Sequence, residues 1–128
     1  MVTQVTNGVK ITVRTQFQAA HSRPDMKHFL FTYNIIIENK SEYTVQLLQR
    51  HWNIFDSNGD TKIVEGEGVV GQQPVIAPND LYEYESACVL TTDMGKMHGN
   101  YQMIRIADKE KFIVEIPEFQ LIAPARLN

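Results

Sequence analysis

Val45-Gln46-Leu47-Leu48-Gln49-Arg50-His51-Trp52-Asn53-Ile54-Phe55, followed by Asp56-Ser57-Asn58-Gly59-Asp60 and a return from Thr61 to Glu65, is the stretch that decides the fold. It reads as a β-hairpin. Asn-Gly between two apolar runs is a strong short-range signal for a type I′ turn, whose two central residues both need φ > 0. Parity puts Leu48, Trp52 and Ile54 on one side of the first strand and Gln49, His51 and Asn53 on the other. The hairpin exits into Gly66-Glu67-Gly68-Val69-Val70-Gly71-Gln72-Gln73-Pro74, so the only tryptophan and the densest glycine cluster are neighbours.

Working outward, the flanking segments also alternate with a period of two. Val9, Ile11, Val13, Thr15 and Phe17 interleave with Lys10, Thr12, Arg14 and Gln16. Phe29, Phe31, Tyr33, Ile35 and Ile37 share one face of a strand from His28 to Glu38. From Asp80 to Leu90, Tyr82, Tyr84, Ser86 and Cys88 oppose Glu83, Glu85, Ala87 and Val89, with the glutamates marking the wet side. Pro74 and Pro78 bracket a stiff linker. Thr91 to Gly99 reads as a loop, Tyr101 to Ile106 and Phe112 to Ile116 as strands. Pro117 ends pairing because it has no N–H to donate, and Phe119 to Ile122 adds a short edge strand.

Seven to eight strands with turn signals between them, and no helical period, predict an all-β, immunoglobulin-like or fibronectin type III-like antiparallel sandwich. Trp52 on the third of these strands matches the buried tryptophan of such sandwiches. Gly99-Asn100-Tyr101-Gln102-Met103 reads as a tyrosine corner, with Met103 where a disulfide-bonded domain carries its second cysteine.

The length of 128 residues fits a single domain, 1–128, with one core. A net charge of −3 argues against a general nucleic-acid binder, which carries a basic face. No apolar run reaches the roughly 18 residues that a membrane span requires, and the first residues lack the basic and apolar regions of a signal peptide. A lone cysteine, Cys88, points to a reducing, cytoplasmic setting.

Few motifs carry chemistry. Gly66-Glu67-Gly68-Val69-Val70-Gly71 matches G-x-G-x-x-G, which in dinucleotide-binding folds brings backbone amides against a pyrophosphate at the start of a helix. Here Gln72-Gln73-Pro74 leads into an extended run, so the loop reads as mobile or sharply bent. Asp56 to Glu67 has an EF-hand flavour, but Thr61 stands where a calcium loop needs glycine. His21, His28, His51 and His98 show no metal-site spacing. Met94, Met97 and His98 offer soft donors, although methionines at a loop–strand junction more often fill core gaps. Cys88 reads as a buried, inert thiol, and no sequence-readable nucleophile stands out, so no catalytic residue, cofactor or metal is assigned. Arg50, if turned inward, needs a partner such as Glu83, Glu85, Glu115 or a carbonyl, and His51 is then free to meet a partner on the other face.

Four runs together resemble the ApaG family (domain of unknown function 525): Val45 to Trp52, Gly66 to Pro74, Met97 to Met103 and Ile116-Pro117-Glu118-Phe119. The likeness covers nearly the whole chain and is most specific where the glycine loop meets Gln-Pro. Asn53 departs from it, standing where an aliphatic residue is expected. The resemblance implies a fibronectin type III-like sandwich and a small bacterial cytoplasmic protein. By genetic context it is linked to diadenosine tetraphosphate hydrolysis, and by name to cobalt resistance and magnesium efflux. Similar domains in eukaryotic F-box proteins and in a DNA-polymerase-delta-interacting protein look like partner-binding modules, and pyrophosphate contact would map onto Gly66, Gly68 and Gly71.

The expectation is a non-enzymatic binding module with a protein partner and neither nucleic acid nor membrane. His51, Glu67 and Gln72 are candidate contacts, and exposed edge strands also allow a homodimer. The alternative is a nucleotide or polyphosphate sensor of the diadenosine tetraphosphate type, binding at Gly66 to Gly71.

Overall fold

The computed structural model describes residues 1–124. Among them the alternating segments form nine strands: β1 (Val2–Thr6), β2 (Val9–Phe17), β3 (Phe29–Asn39), β4 (Val45–Asp56), β5 (Thr61–Glu67), β6 (Val75–Ile76), β7 (Leu81–Leu90), β8 (Met94–Arg105) and β9 (Lys111–Ile122). All pairings are antiparallel. One sheet has the order β1-β2-β3-β7, the other β5-β4-β8-β9 with β6 added along β4. Without β1 and β6 this is the three-plus-four arrangement of a fibronectin type III-like sandwich. No helix among the described residues is long and apolar enough to cross a membrane.

The two extra strands correct the expected count. Asn7 (φ 51°) and Gly8 (φ 79°) both adopt the left-handed backbone and fold β1 back on β2, with Thr6 opposite Val9. The I′ geometry expected at Asn58-Gly59 is therefore found at the other Asn-Gly pair, because only Gly59 has positive φ in the later turn. The β4–β5 turn is a longer loop, closed when the Asn58 side chain accepts the Asp60 N–H at 3.0 Å. Val75–Ile76, inside the expected stiff linker, pairs with Val45 and Gln46.

Thr91 to Gly99 is not one loop, since β8 begins at Met94. Gly95, Met97, Gly99, Tyr101 and Met103 alternate toward the core. Gly99 lies opposite Trp52, where a β-carbon would collide with the His51 carbonyl. Glycine here makes room for a neighbouring strand, which is easily mistaken for loop composition. Nor does Pro117 end the last strand. Met97 pairs with Phe119 and Gly99 with Ile116, so Pro117 and Glu118 face His98 in a bulge, a place where a missing N–H is harmless. Phe119 to Ile122 continues β9.

Core side chains come from both sheets: Val9, Ile11, Val13, Phe31, Ile35 and Ile37 from one, Val45, Leu47, Met103, Val114, Ile116 and Leu121 from the other. Trp52, 2 % exposed, is closed in by Tyr33 at 5.4 Å and Phe119 at 5.8 Å between ring centroids. Each such buried aromatic contributes about 1.5–3 kcal/mol by area. The two flanks of the sandwich differ. On one, Asn7 Nδ2 donates to the Ile113 carbonyl at 2.9 Å and Thr6 Oγ1 accepts the Glu115 N–H at 3.3 Å, stitching β1 to β9. On the other, β5 and β7 are both edge strands.

Candidate functional site

The site begins with an irregularity in β4. Leu47 pairs with Met103 but Gln49 pairs with Gln102, so Leu48 is an extra residue, a bulge. The bulge reverses the side-chain parity: Val45 and Leu47 point inward before it, Arg50 and Trp52 after it. Leu48, expected on the Trp52 side, is the residue that breaks the alternation. Its carbonyl is left free for the glycine loop, accepting the Gly68 N–H at 2.8 Å and Gln73 Nε2 at 3.0 Å.

Arg50 is half-buried between Gly66 on β5 and Tyr101 on β8. Its Nη1 donates to the Glu67 and Gly68 carbonyls, each at 3.0 Å. The expected glutamate partners Glu83, Glu85 and Glu115 are not used, because the chain's own carbonyls reach the guanidinium first. Among the described residues Arg50 makes no ion pair. A β-carbon at Gly66 would lie 2.8 Å from Nη1, so any larger residue there would push the Arg50 guanidinium aside.

The loop itself is a miniature hairpin. Val69 and Gln72 exchange both backbone hydrogen bonds, at 2.8 and 2.9 Å, around Val70 (φ 48°) and Gly71 (φ 77°). It is sharply bent, as expected, and held at both ends. Gly68 (φ 64°) has no alternative, because a side chain would strike the Gln72 carbonyl. Val70 is 60 % exposed, and a β-branched residue with positive φ is a genuine outlier. The amides of Gly68, Val69 and Gln72 are spent on Leu48, Gln72 and Val69, and no helix follows Gly71.

Behind the loop, at the open flank, lies a cleft of about 300 Å³ walled by Tyr33, Trp52, Tyr84, Ser86, Arg50 and the loop. Tyr33 sits across from Ser86, and Tyr84 from Ile35. The Tyr101 hydroxyl meets the Tyr84 hydroxyl at 2.5 Å, so Tyr101 is no tyrosine corner: its phenol reaches across to a side chain of the opposite sheet instead of back to the backbone a few residues upstream. Burial raises the pKa of Tyr33, Tyr84 and Tyr101, and the nearby Arg50 charge only partly opposes this, so the phenols stay protonated.

The remaining candidates lie elsewhere. His51 is on the outer face of β4, its Nδ1 2.8 Å from Glu65 Oε1, beside Gln49, Asn100, Gln102 and Ile113. Glu67 and Gln72 are exposed at the two ends of the loop. Met97 is buried while His98 projects from the opposite face, so the two do not converge. Cys88 is buried and its thiol pushed up to about 11 by burial. Gly66, Gly68, Gly71, Glu67, Gln72 and Arg50 are therefore brought together, and His51 is turned away from them. Tyr33, Tyr84 and Ser86 complete the cleft. The sequence signal for the last two was the inward parity of β7, read only as core.

Among known proteins, the model of the ApaG domain (domain of unknown function 525) matches residues 19–105. The chain belongs to the ApaG family. It is 44 % identical over 128 residues to Protein ApaG of Anaeromyxobacter dehalogenans (strain 2CP-C), covering 100 % of both chains. It is 44 % identical to Protein ApaG of Brucella canis over 124 residues, 97 % of this chain and 95 % of that one. The crystal structure of a Bordetella pertussis protein described as ApaA matches with a TM-score of 0.87 at 35 % identity, covering 91 % of this chain and 94 % of that one. The ApaG relatives thus match its length, and the Bordetella pertussis protein its fold.

Proposed function

We propose that this ApaG-family chain is a non-enzymatic, cytoplasmic binding module whose partner is a protein, engaged at the Gly66–Pro74 loop and the strand ends beside it. The observation that carries the reading is Val70, an apolar side chain displayed in solvent on a backbone conformation that valine normally avoids. A partner that buries this knob gains apolar contact without ordering the loop first, the economy that pre-organised interfaces exploit. Glu67 and Gln72 frame it, and the His51–Glu65 pair extends the face along β4. Affinity capture from a bacterial lysate compares the native chain with Val70→Asp. A partner retained by the first and lost by the second supports the module. A catch that is absent, or indifferent to Val70, rejects it.

A second reading is a sensor of nucleotides or polyphosphates, and Arg50, a cation that makes no ion pair among the described residues, is what favours it. Calorimetry with ATP and diadenosine tetraphosphate separates the two, since micromolar binding of either supports the sensor.

A further inference from the structure

The hydrogens in the cleft do not balance. Tyr101 is fully buried, and among the described residues its hydroxyl has one partner, the Tyr84 hydroxyl. If Tyr84 donated this bond, the Tyr101 proton would be sealed in the core without an acceptor, and a buried donor left unpaired loses its full hydration with nothing in return. Tyr101 therefore donates to Tyr84, and the proton of Tyr84 turns toward the cleft that Tyr84 lines. Arg50 adds to the surplus. Its Nη1 is engaged by two carbonyls, while Nε and Nη2 have no acceptor among the described residues, and a guanidinium carries five N–H donors and no acceptor of its own. Tyr33 and Ser86 bring two more hydroxyls to the same walls.

A pocket with donors in excess, one positive charge and aromatic sides is built for an acceptor-only group. We infer that the cleft behind the Gly66–Gly71 loop binds a carboxylate attached to a small apolar group, with Arg50 and Tyr84 holding the oxygens and Trp52 and Tyr33 flanking the apolar part. A carboxylate suits the site better than a phosphate for two reasons. It carries a single charge, matching the lone guanidinium, and it is planar, matching the Arg fork. The volume, about 300 Å³, is at the small end of ligand pockets. Glu67, also on the wall, works against any anion and most strongly against a doubly charged one.

The inference deepens the binding-module reading, for a carboxylate at this place is either the end of a partner's chain or a free small acid. Amide NMR of the labelled protein follows titration with N-acetyl-leucine, its primary amide and inorganic phosphate. A short peptide ending in leucine is added in free-acid and C-terminally amidated forms. Expected are saturable shifts at residues 66–71 with the free acids and none with the amides. Arg50→Met weakens binding about tenfold or more, the worth of a charge-assisted hydrogen bond. Arg50→Lys, which keeps the charge but loses the fork, weakens it as well, and it serves alone if the Met variant does not fold. Glu67→Gln tightens binding about two- to fivefold, the size of a surface charge interaction. A peptide binding more tightly than N-acetyl-leucine assigns the carboxylate to a partner's terminus, whereas equal affinity assigns it to a small acid. That second outcome keeps the site even where lysate capture has failed. Phosphate binding tighter than the acids, amides binding as well as acids, or affinity unchanged in both Arg50 variants overturns the inference.

Discussion

The inward face of β4 carries two charged residues, Arg50 just past the bulge and Asp56 at the strand's end, and the contrast between them separates scaffold from site. Asp56 is buried and saturated: its carboxylate accepts the Thr91 N–H and the Thr91 hydroxyl, both at 2.8 Å, and the Thr92 hydroxyl as well. It closes the β7–β8 connection onto the β4–β5 turn. Arg50, beside the bulge, has a bond only at one nitrogen among the described residues and faces a cleft. A charge whose bonds are all made within the chain is structure, and a charge with bonds to spare is an invitation.

Truncation provides the strongest way to break this contrast. Asp56→Ala strands three donors and is expected to cost about 2–4 kcal/mol. Arg50→Met frees two carbonyls already near water and should cost less than about 1 kcal/mol. Urea unfolding of both variants decides, and equal costs would erase the distinction. Next comes the tyrosine pair, where direction matters more than presence. Tyr84→Phe leaves the Tyr101 hydroxyl buried alone, at about 2 kcal/mol, whereas Tyr101→Phe removes a donor from a phenol that reaches the cleft, at about 1 kcal/mol. The reverse order would mean that the hydrogen bond runs the other way.

Acid sharpens the Asp56 side. Burial pushes its carboxyl up, but the hydrogen bonds from Thr92 and Thr91 outweigh it and leave the pKa lowered. With the folded value below the unfolded one of about 3.9, the stabilisation is fully present above that value and fades as pH falls through the folded pKa. Asp56→Asn, less stable by about 1–2 kcal/mol at neutral pH, should converge on the native chain below about pH 4. Thermal unfolding from pH 7 to pH 3 measures the gap, and a constant gap refutes the assignment. The smallest effect belongs to the loop. Val70→Asn relieves a β-branched side chain at positive φ and should stabilise by about 0.5 kcal/mol, while a loss would mean that Val70 packs against something.

Alternation made most of the fold legible, because each strand buries one face and period two survives in the residue types. Irregular points were not. A bulge at Leu48 leaves no mark in a run where Leu47 and Leu48 are both apolar, so the direction of Trp52 was right and that of Leu48 wrong. Gly95 and Gly99 looked like loop residues because a glycine that admits a crossing strand has the same letter as one that bends a chain. Asn7-Gly8 carried the very signal applied at Asn58-Gly59, with Val5 and Val9 around it. Within the site, the glycine loop and Arg50 were readable from spacing and parity. Tyr33, Tyr84 and Ser86 join them only through the pairing of β3 with β7 and the stacking of the sheets, long-range facts with no local trace.

The seam between β1 and β9 has a consequence for assembly. With Asn7 and Thr6 occupying the Ile113 carbonyl and the Glu115 N–H, the β9 edge is blunted against strand-by-strand recruitment of another copy, whereas β5 and β7 on the opposite flank carry no such stitch among the described residues. Self-association through strand edges is thereby steered toward one side of the sandwich, the asymmetry by which edge-to-edge growth is discouraged.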